Sequence, residues 1–358
     1  MTISHLVRRG VEAVAAAKQG DVIEVEVGSP WLAGLLFLTI LGFAYVMFSI
    51  DYTYVLLVPT LAAVEDSNPE FYLRADYDPA NKQPGSPTDA DLEVETPAPR
   101  PITSKLRTTI RHLRARGGCL SRFRGFSMLL TALIAEGFVF SFVPVSSSSI
   151  VGSFVSKTIV AVLLANLHVA WVHIVISEPS PKRFYRRIPS FRSLPKIIPA
   201  AALLHLVTNG AYLVALLVVY LVHGLREIDL VRNGAASPDV YRNVFNILSL
   251  ASFISWLASF PVRAIFVRVA ASMLPTEDEA IVPFDRSFGG KVDPPVVGGS
   301  VLSIADAWKT FDRDGWKRYV KALAKAWAMQ IVATILFTAV VFVEIMGGAL
   351  VYKDKSKN

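Results

Sequence analysis

Six long runs of apolar residues, separated by polar segments of unequal length, dominate the chain. They cover residues 30–64, 126–145, 150–176, 196–223, 243–262 and 323–351. An α-helix needs about twenty apolar residues to cross a bilayer core roughly 30 Å thick. The pattern therefore predicts an all-α integral membrane protein with six transmembrane helices. Asp51 interrupts the first run and leaves two alternatives, one long tilted helix or a span followed by an interfacial segment.

The polar segments divide the rest of the chain. Residues 1–29 form an N-terminal amphipathic or extended segment that lacks the apolar region of a secretory signal. Residues 30–351 form the membrane domain, and residues 352–358 a basic C-terminal tail. Within the domain, the loop 66–104 is rich in Pro, Asp and Glu, so we expect it to be disordered.

Two charged segments next to spans have apolar residues at helical spacing, at 104–126 and at 304–321. In each segment a glycine is followed by basic and aromatic residues, and the next span comes after them. Such a pattern predicts a helix that lies flat in the membrane interface. For residues 304–321 alone, packing on the protein's own loops explains the pattern equally well. With the paired spans, the recurrence predicts three repeat-like units, about 30–145, 150–223 and 240–350.

Composition and charge narrow the class of protein. Hydrophobic residues make up 53% of the 358 residues, and the mean hydropathy is +0.46, which is unusual for a soluble protein. The single cysteine, Cys119, excludes an intramolecular disulfide framework. Loops one, three and five, the last with the start of span six, hold 26 of the 36 Lys and Arg residues. By the positive-inside rule these loops share one side, facing the cytosol or the mitochondrial matrix. An excess of basic residues in a membrane protein serves to set the membrane topology or to contact anionic lipid, so we expect no nucleic-acid partner.

Polar residues inside the apolar runs are the candidates for function, because such residues are costly in a membrane. They are Asp51, Glu136, Asn166, His168, His173, His205, Asn209 and Glu344. Each has three interpretations: packing inside the bundle, handling of a substrate or proton, or a place nearer the interface. His168 and His173 are five residues apart and lie on different helix faces, so we expect no metal pair. The sequence contains no nucleotide-binding, zinc-protease or hydrolase motif, so we expect no cofactor and no enzyme activity.

Loop three combines basic and aromatic residues beside a span end. Its basic side chains are Lys182, Arg183, Arg186, Arg187 and Arg192, and its aromatic side chains are Phe184, Tyr185 and Phe191. This composition predicts binding of anionic lipid headgroups, with about 1 kcal/mol from each basic residue. Plain determination of membrane topology explains it equally well.

The segment "TIRHLRARGGCLSRFRGF" and the aligned prolines Pro59, Pro179 and Pro261 resemble the mitochondrial carrier family. In that family each of three repeats is a proline-ended span, a flat matrix helix, a glycine turn and a second span. The resemblance implies substrate contacts on even-numbered spans, which here carry Glu136, His205, Asn209 and Glu344.

The chain departs from that family at the gate. Carriers place an acid two residues after the proline and a base three further on. Here those positions hold Leu61 and Val64, then Pro181 and Phe184, then Arg263 and Phe266. The salt-bridge gate of the carriers therefore cannot form.

The segments "SEPSPKRFYRRIP" and "AIVPFDRSFGG" resemble an uncharacterised family of multi-span proteins from filamentous fungi, some of them labelled "ubiquitin carrier protein". Nothing around Cys119 supports that label, because this residue lies in a basic amphipathic segment rather than in a soluble α/β core.

Two functions follow from these patterns. The first is a divergent carrier-like solute transporter without the usual gate. The second is a non-transporting membrane adaptor that engages anionic lipid or a partner through its basic loops. The carrier resemblance favours a mitochondrial membrane, with the endoplasmic reticulum or another endomembrane as the alternative.

Overall fold

The computed structural model describes residues 30–68, 101–143, 150–223, 230, 233–234, 237–293 and 300–355. These residues are mainly helical and form no β-strand beyond one isolated antiparallel bridge between Ser177 and Ala280. Five helices are long and apolar enough to cross a membrane, and a bent pair makes six if it counts as one span. The segment 1–29, most of the loop 66–104 and the tail from 356 lie outside the described residues.

Ten α-helices can be followed along the described chain. They are α1 (Pro30–Ile50), α2 (Val58–Val64), α3 (Leu106–Gly117), α4 (Phe126–Phe142), α5 (Ile150–Leu163), α6 (Ala165–Ile176), α7 (Leu194–His223), α8 (Pro238–Ala271), α9 (Ile304–Lys309) and α10 (Arg313–Lys355). A π-helical segment, Asp51–Leu57, connects α1 to α2. Short 3₁₀ helices cover Ile102–Ser104, Cys119–Phe123, Phe184–Arg187 and Phe191–Ser193.

The apolar runs predicted the long helices well, but several boundaries differ. The first run is helical throughout, and Asp51 marks a change to π-helix rather than an end. The third run bends by 54° between α5 and α6. Helices α8 and α10 extend beyond their apolar runs. Helix α8 begins before its apolar run, at Pro238, because the side chain of Ser237 caps its N-terminus there.

The prediction of one flat helix over residues 304–321 is wrong. Helix α9 ends at Lys309, and α10 begins at Arg313 and continues into the last span. The carboxylate of Asp312 accepts a hydrogen bond of 3.1 Å from the backbone N–H of Gly315, as an N-cap does. The sequence "WKRYVK" therefore forms the first turns of α10, and Gly315 lies inside the helix instead of in a turn before it.

By contrast, the first amphipathic segment follows the predicted order. Helix α3 ends at Gly117, and Gly118 follows with φ of 74°. Glycine tolerates this left-handed conformation better than any residue with a Cβ. Gly125, with φ of 78°, precedes α4, and a Cβ there would come within 3.2 Å of the Trp171 ring. Helix, glycine turn, basic–aromatic step and span thus occur in that order.

Contacts divide the chain into two units, of which the first comprises the described residues up to 55 and from 323 onward. In this unit α1 pairs with α10. The rings of Phe43 and Phe337 stack with centroids 4.0 Å apart. The hydroxyl of Thr39 donates to Glu344 over 2.5 Å, and the amide of Gln330 donates to Asp51. Each of these contacts joins a polar side chain of one apolar helix to the neighbouring helix, although the second carboxylate oxygen of Glu344 is buried without a partner among the described residues.

The second unit comprises residues 56–322. Consecutive helices pack as neighbours, with α4 against α5 and α6, these against α7, and α7 against α8. In addition α2, α6 and α8 pack on one another. The most buried stretches are α2, α6 and the last ten residues of α8, whereas large apolar side chains farther along the spans stay exposed, as expected of surfaces that face lipid.

Loops one, three and five meet at the end of the second unit where α2, α6 and α8 terminate. The N–H of Ile281 donates to the carbonyl of Ile176 over 2.8 Å, and the N–H of Glu178 to that of Glu279 over 2.7 Å. The ring Nε2 of His112 lies 2.8 Å from the carbonyl oxygen of Ile281. We call this layer, the described residues 101–125, 177–193 and 272–312, the loop cap. Its assembly agrees with the prediction from charge that these three loops share one side.

Candidate functional site

The end of the bundle under the loop cap is closed by one buried arginine. Arg268, on the last turn of α8, is only 6% exposed. Its guanidinium donates to the carbonyls of Ala63 (2.9 Å), Ala307 (3.1 Å) and Thr310 (3.1 Å), and to the Thr310 hydroxyl (2.9 Å). Helices α2, α8 and α9 are therefore tied together through one side chain.

Two aromatic rings flank the same guanidinium. The carbon at its centre lies 4.9 Å from the ring centroid of Phe288 and 5.0 Å from that of Phe311. A guanidinium with its donors satisfied and its faces on aromatic rings is well suited to a buried position. Its acceptors are backbone carbonyls and a hydroxyl rather than the carboxylates of a carrier gate.

Further polar contacts reinforce this closure. The ring Nε2 of His173, on α6, lies 2.8 Å from the carbonyl oxygen of Ala270 on α8. The carboxylate of Glu65, just after α2, is buried and accepts from the N–H groups of Ile102 (2.6 Å) and Thr103 (2.9 Å). The backbone oxygen of Glu65 accepts from Arg318 over 2.9 Å. Loop one and the start of α10 are thus joined to the end of α2 by hydrogen bonds, and α6 is joined in the same way to α8.

A second polar group lies within the candidate spans of the second unit. The carboxylate Oε1 of Glu136, on α4, is 3.5 Å from the ring Nδ1 of His168 on α6, and these two atoms are buried without a hydrogen-bond partner among the described residues. The ring of His168 meets that of His205, on α7, edge-on with centroids 6.5 Å apart. Arg263, on α8, lies within electrostatic range of both rings. We call these four residues the polar cluster.

The structure brings together only part of the predicted substrate set. Glu136 and His205 meet around His168, a polar residue of the spans that the predicted set does not include. Asn209 lies one turn after His205 on α7. Glu344 belongs to the other unit, where it accepts the hydroxyl of Thr39. The predicted site residues therefore fall in two separate units.

Loop three divides into residues that hold the cap and residues that face outward. Arg187 and Asp278 form an ion pair of 3.1 Å with side chains 6% and 10% exposed, so Arg187 is structural. Lys182 lies 3.1 Å from Glu277 and 3.6 Å from Asp278. The hydrogen bond to Glu277 and the two carboxylates raise the pKa of Lys182, so it stays charged.

The outward residues of loop three are Arg183, Arg186 and Arg192, with Phe184, Tyr185 and Phe191. Phe191 is 83% exposed, and Phe184 and Tyr185 on the same loop are 38% and 46% exposed. Helix α3 adds the exposed Arg107, Arg111 and Arg114, and Leu120, which is 77% exposed, follows it. We call these outward residues of loop three and α3 the basic rim.

Sequence reasoning missed the two arginines with the clearest positions. Arg263 and Arg268 lie in "PVRAIFVR", a segment that contributed only the alignment of its proline and the test for a gate. A signal for both was present, since arginine is rare inside or beside an apolar run unless it is paired or functional. Their different roles depend on which helix each faces, and one sequence does not reveal that.

Comparison with known proteins adds no identity. No family profile matches the chain, and no curated protein matches it significantly.

Proposed function

We propose that this chain is a six-span membrane protein that serves as a non-transporting adaptor and engages anionic lipid through its basic rim. The observation that carries this proposal is the buried closure by Arg268. A transport cycle of the alternating-access kind requires the closed end of the bundle to open. Here opening would separate Arg268 from three backbone carbonyls and a hydroxyl.

The energy of that separation argues against a cycle. Breaking a buried, hydrogen-bonded charged group from its partners costs about 3–5 kcal/mol. An open state at that free energy would hold less than about one per cent of the molecules. Carboxylate–base gates are absent from the aligned positions, and the loop cap adds further hydrogen bonds over the same end. The closure therefore suits a scaffold better than a gate.

The composition of the basic rim indicates that the partner is anionic lipid. Its exposed arginines and aromatic rings lie beside span ends, where lipid headgroups are found. Arginine contributes about 1 kcal/mol near an anionic bilayer, and aromatic rings settle at headgroup depth. The carrier-like plan of three paired spans is part of the proposal, and the mutual packing of α2, α6 and α8, which end the first, third and fifth spans, supports it.

Binding of lipid tests the proposal directly. The full chain in neutral detergent would be titrated with phosphatidylglycerol and with phosphatidylcholine, and bound lipid counted by native mass spectrometry. We expect preference for phosphatidylglycerol, and a loss of about fivefold in affinity per arginine in the variant Arg183→Gln/Arg186→Gln/Arg192→Gln. Arg242→Gln, an exposed arginine at the other end of α8, is the matched control and should change affinity less than about twofold. Equal affinity for the two lipids would overturn the lipid assignment.

Flux measurements test the absence of transport. Vesicles that contain the purified chain should take up mono- and dicarboxylates, phosphate and protons no faster than vesicles without protein. Saturable uptake that requires the chain would establish the transporter instead. The polar cluster is the specific observation that favours this second function, because ionisable groups inside spans mark solute and proton pathways.

The membrane that we propose is mitochondrial, with an endomembrane as the alternative. Fractionation of cells that express the tagged chain would decide between them.

A further inference from the structure

We infer that Arg263, His168 and His205 form a binding site for an oxyanion, a carboxylate or a phosphate group, within the helix bundle of the second unit. This site is separate from the basic rim and does not depend on the proposed adaptor function.

The first observation is the state of the Arg263 guanidinium. Arg263 is half-buried on α8, within a candidate span. Among the described residues it forms no hydrogen bond and no ion pair. Arg268, five residues further on the same helix, has four hydrogen bonds and two aromatic contacts. An unpaired arginine in a span is expensive, so a partner that neutralises it in the working protein is expected.

The second observation is the register of the helices around it. Helices α7 and α8 pack on each other, and they run antiparallel because the start of α7 (Lys196, Pro199) and the end of α8 (Val269) line the same cavity. The hydroxyl of Ser255 donates to the carbonyl of Thr208 over 2.7 Å, which fixes their register. Counting from that pair, Arg263 is offset from His205 by about five residues, or roughly 7 Å along the axis. A flexible arginine side chain spans much of that offset, and its electrostatic effect on His168 and His205 agrees.

The chemistry of the group selects the ligand. A guanidinium binds carboxylate and phosphate oxygens with two parallel hydrogen bonds, and an imidazole N–H adds a further donor. The carboxyl group of Glu136 lies 3.5 Å from His168 and, when ionised, repels a second negative charge. The site therefore fits one oxyanion group and disfavours a cation, which Arg263 would repel. The side chains of His168 and Glu136 are 23% and 25% exposed, so the cluster is not fully enclosed by the helices around it.

Two sources carry such a group, a small soluble anion and an amphipathic molecule with an apolar tail. Inorganic phosphate and acetate represent the first, and laurate the second. Binding of each to the full chain in uncharged nanodiscs would be measured by isothermal titration, with dodecyltrimethylammonium as a cationic probe of the same tail length. Saturation by phosphate or acetate alone identifies a soluble ligand, and saturation by laurate alone an amphipathic one. Saturation by both kinds assigns the oxyanion group itself.

Variants tie the binding to the cluster. Arg263→Gln should weaken binding at least tenfold, and Arg242→Gln, with the same change of charge on the exposed start of the same helix, less than twofold. The rim variant Arg183→Gln/Arg186→Gln/Arg192→Gln should bind as the wild type does, which separates this site from the lipid surface. If Arg263→Gln does not fold, His205→Gln serves in its place, with an expected loss of about threefold to tenfold.

Three outcomes would overturn the inference. They are unchanged affinity in the Arg263 and His205 variants, equal binding of the cationic probe, and no saturable binding of any oxyanion at millimolar concentration.

Discussion

Replacement of Arg268 by methionine should destabilise the protein far more than the loss of an exposed arginine does. Methionine keeps most of the length and apolar volume of the side chain but removes every donor. Three backbone carbonyls, those of Ala63, Ala307 and Thr310, would lose a partner. A buried acceptor left unsatisfied costs about 1–3 kcal/mol, so the three together cost at least about 3 kcal/mol. The lost contacts with two phenylalanine rings add about 1 kcal/mol.

The assay is thermal unfolding of the full chain in detergent, followed by circular dichroism. For a chain of this size, 1 kcal/mol corresponds to roughly 2–4 °C, so Arg268→Met should lower Tm by about 8–16 °C. Arg242→Met removes the same charge from a side chain that is 67% exposed and should lower Tm by less than about 3 °C. Arg268→Lys should fall between them, because one ammonium group cannot reach all of the acceptors. If Arg268→Met unfolds within about 2 °C of Arg242→Met, the closure does not hold the bundle end together.

Three more predictions concern the loop cap and the helices. Asp278→Asn should lower Tm well beyond Glu277→Gln, because Asp278 pairs with a buried arginine whereas Glu277 is 77% exposed. Partial burial opposes ionisation of Asp285, but hydrogen bonds from Gly289 and Ser287 outweigh it and hold its pKa below the usual value. Its stabilisation is therefore present above the unfolded pKa near 3.9 and lost as the pH falls through the lower folded pKa, so the difference in Tm between wild type and Asp285→Asn should vanish in acid. Gly315→Ala would bring a Cβ within 2.5 Å of Phe311 and Asp312 and should cost about 1–3 kcal/mol, while Gly137→Ala, which meets open space inside α4, should be neutral or stabilising; comparable Tm values for the two would contradict this packing.

The class of fold was predictable because hydrophobic length is a local property. Each apolar run long enough to cross a bilayer became a long helix or a bent pair, and "TIRHLRARGGCLSRF" became helix, glycine turn and short helix in that order. The same reasoning failed at residues 304–321. Asp312 there acts as an N-cap, and an aspartate that caps a helix is hard to distinguish from one on the polar face of a longer helix.

The candidate site was predictable only in its residue types. The cost of polar groups in lipid drew attention to Glu136, His168, His205 and Glu344 before any partner was known. Which of them meet depends on helix packing across long separations in sequence. Glu136 reaches His168 from α4 to α6, whereas Glu344 pairs with Thr39 in the other unit.

The two arginines of α8 show which properties the sequence determines and which depend on the tertiary structure. Apolar length, charge distribution and glycine placement determine the spans, the shared side of the odd loops and the turn after α3, because each depends on a short stretch of chain and its solvent. The roles of Arg263 and Arg268 cannot be read from a short stretch of chain, since both residues lie close together on one helix and carry the same charge. Only packing decides that Arg268 meets the carbonyls of α2 and α9 and becomes a structural tie, while Arg263 lies within electrostatic range of two histidines and forms no hydrogen bond among the described residues.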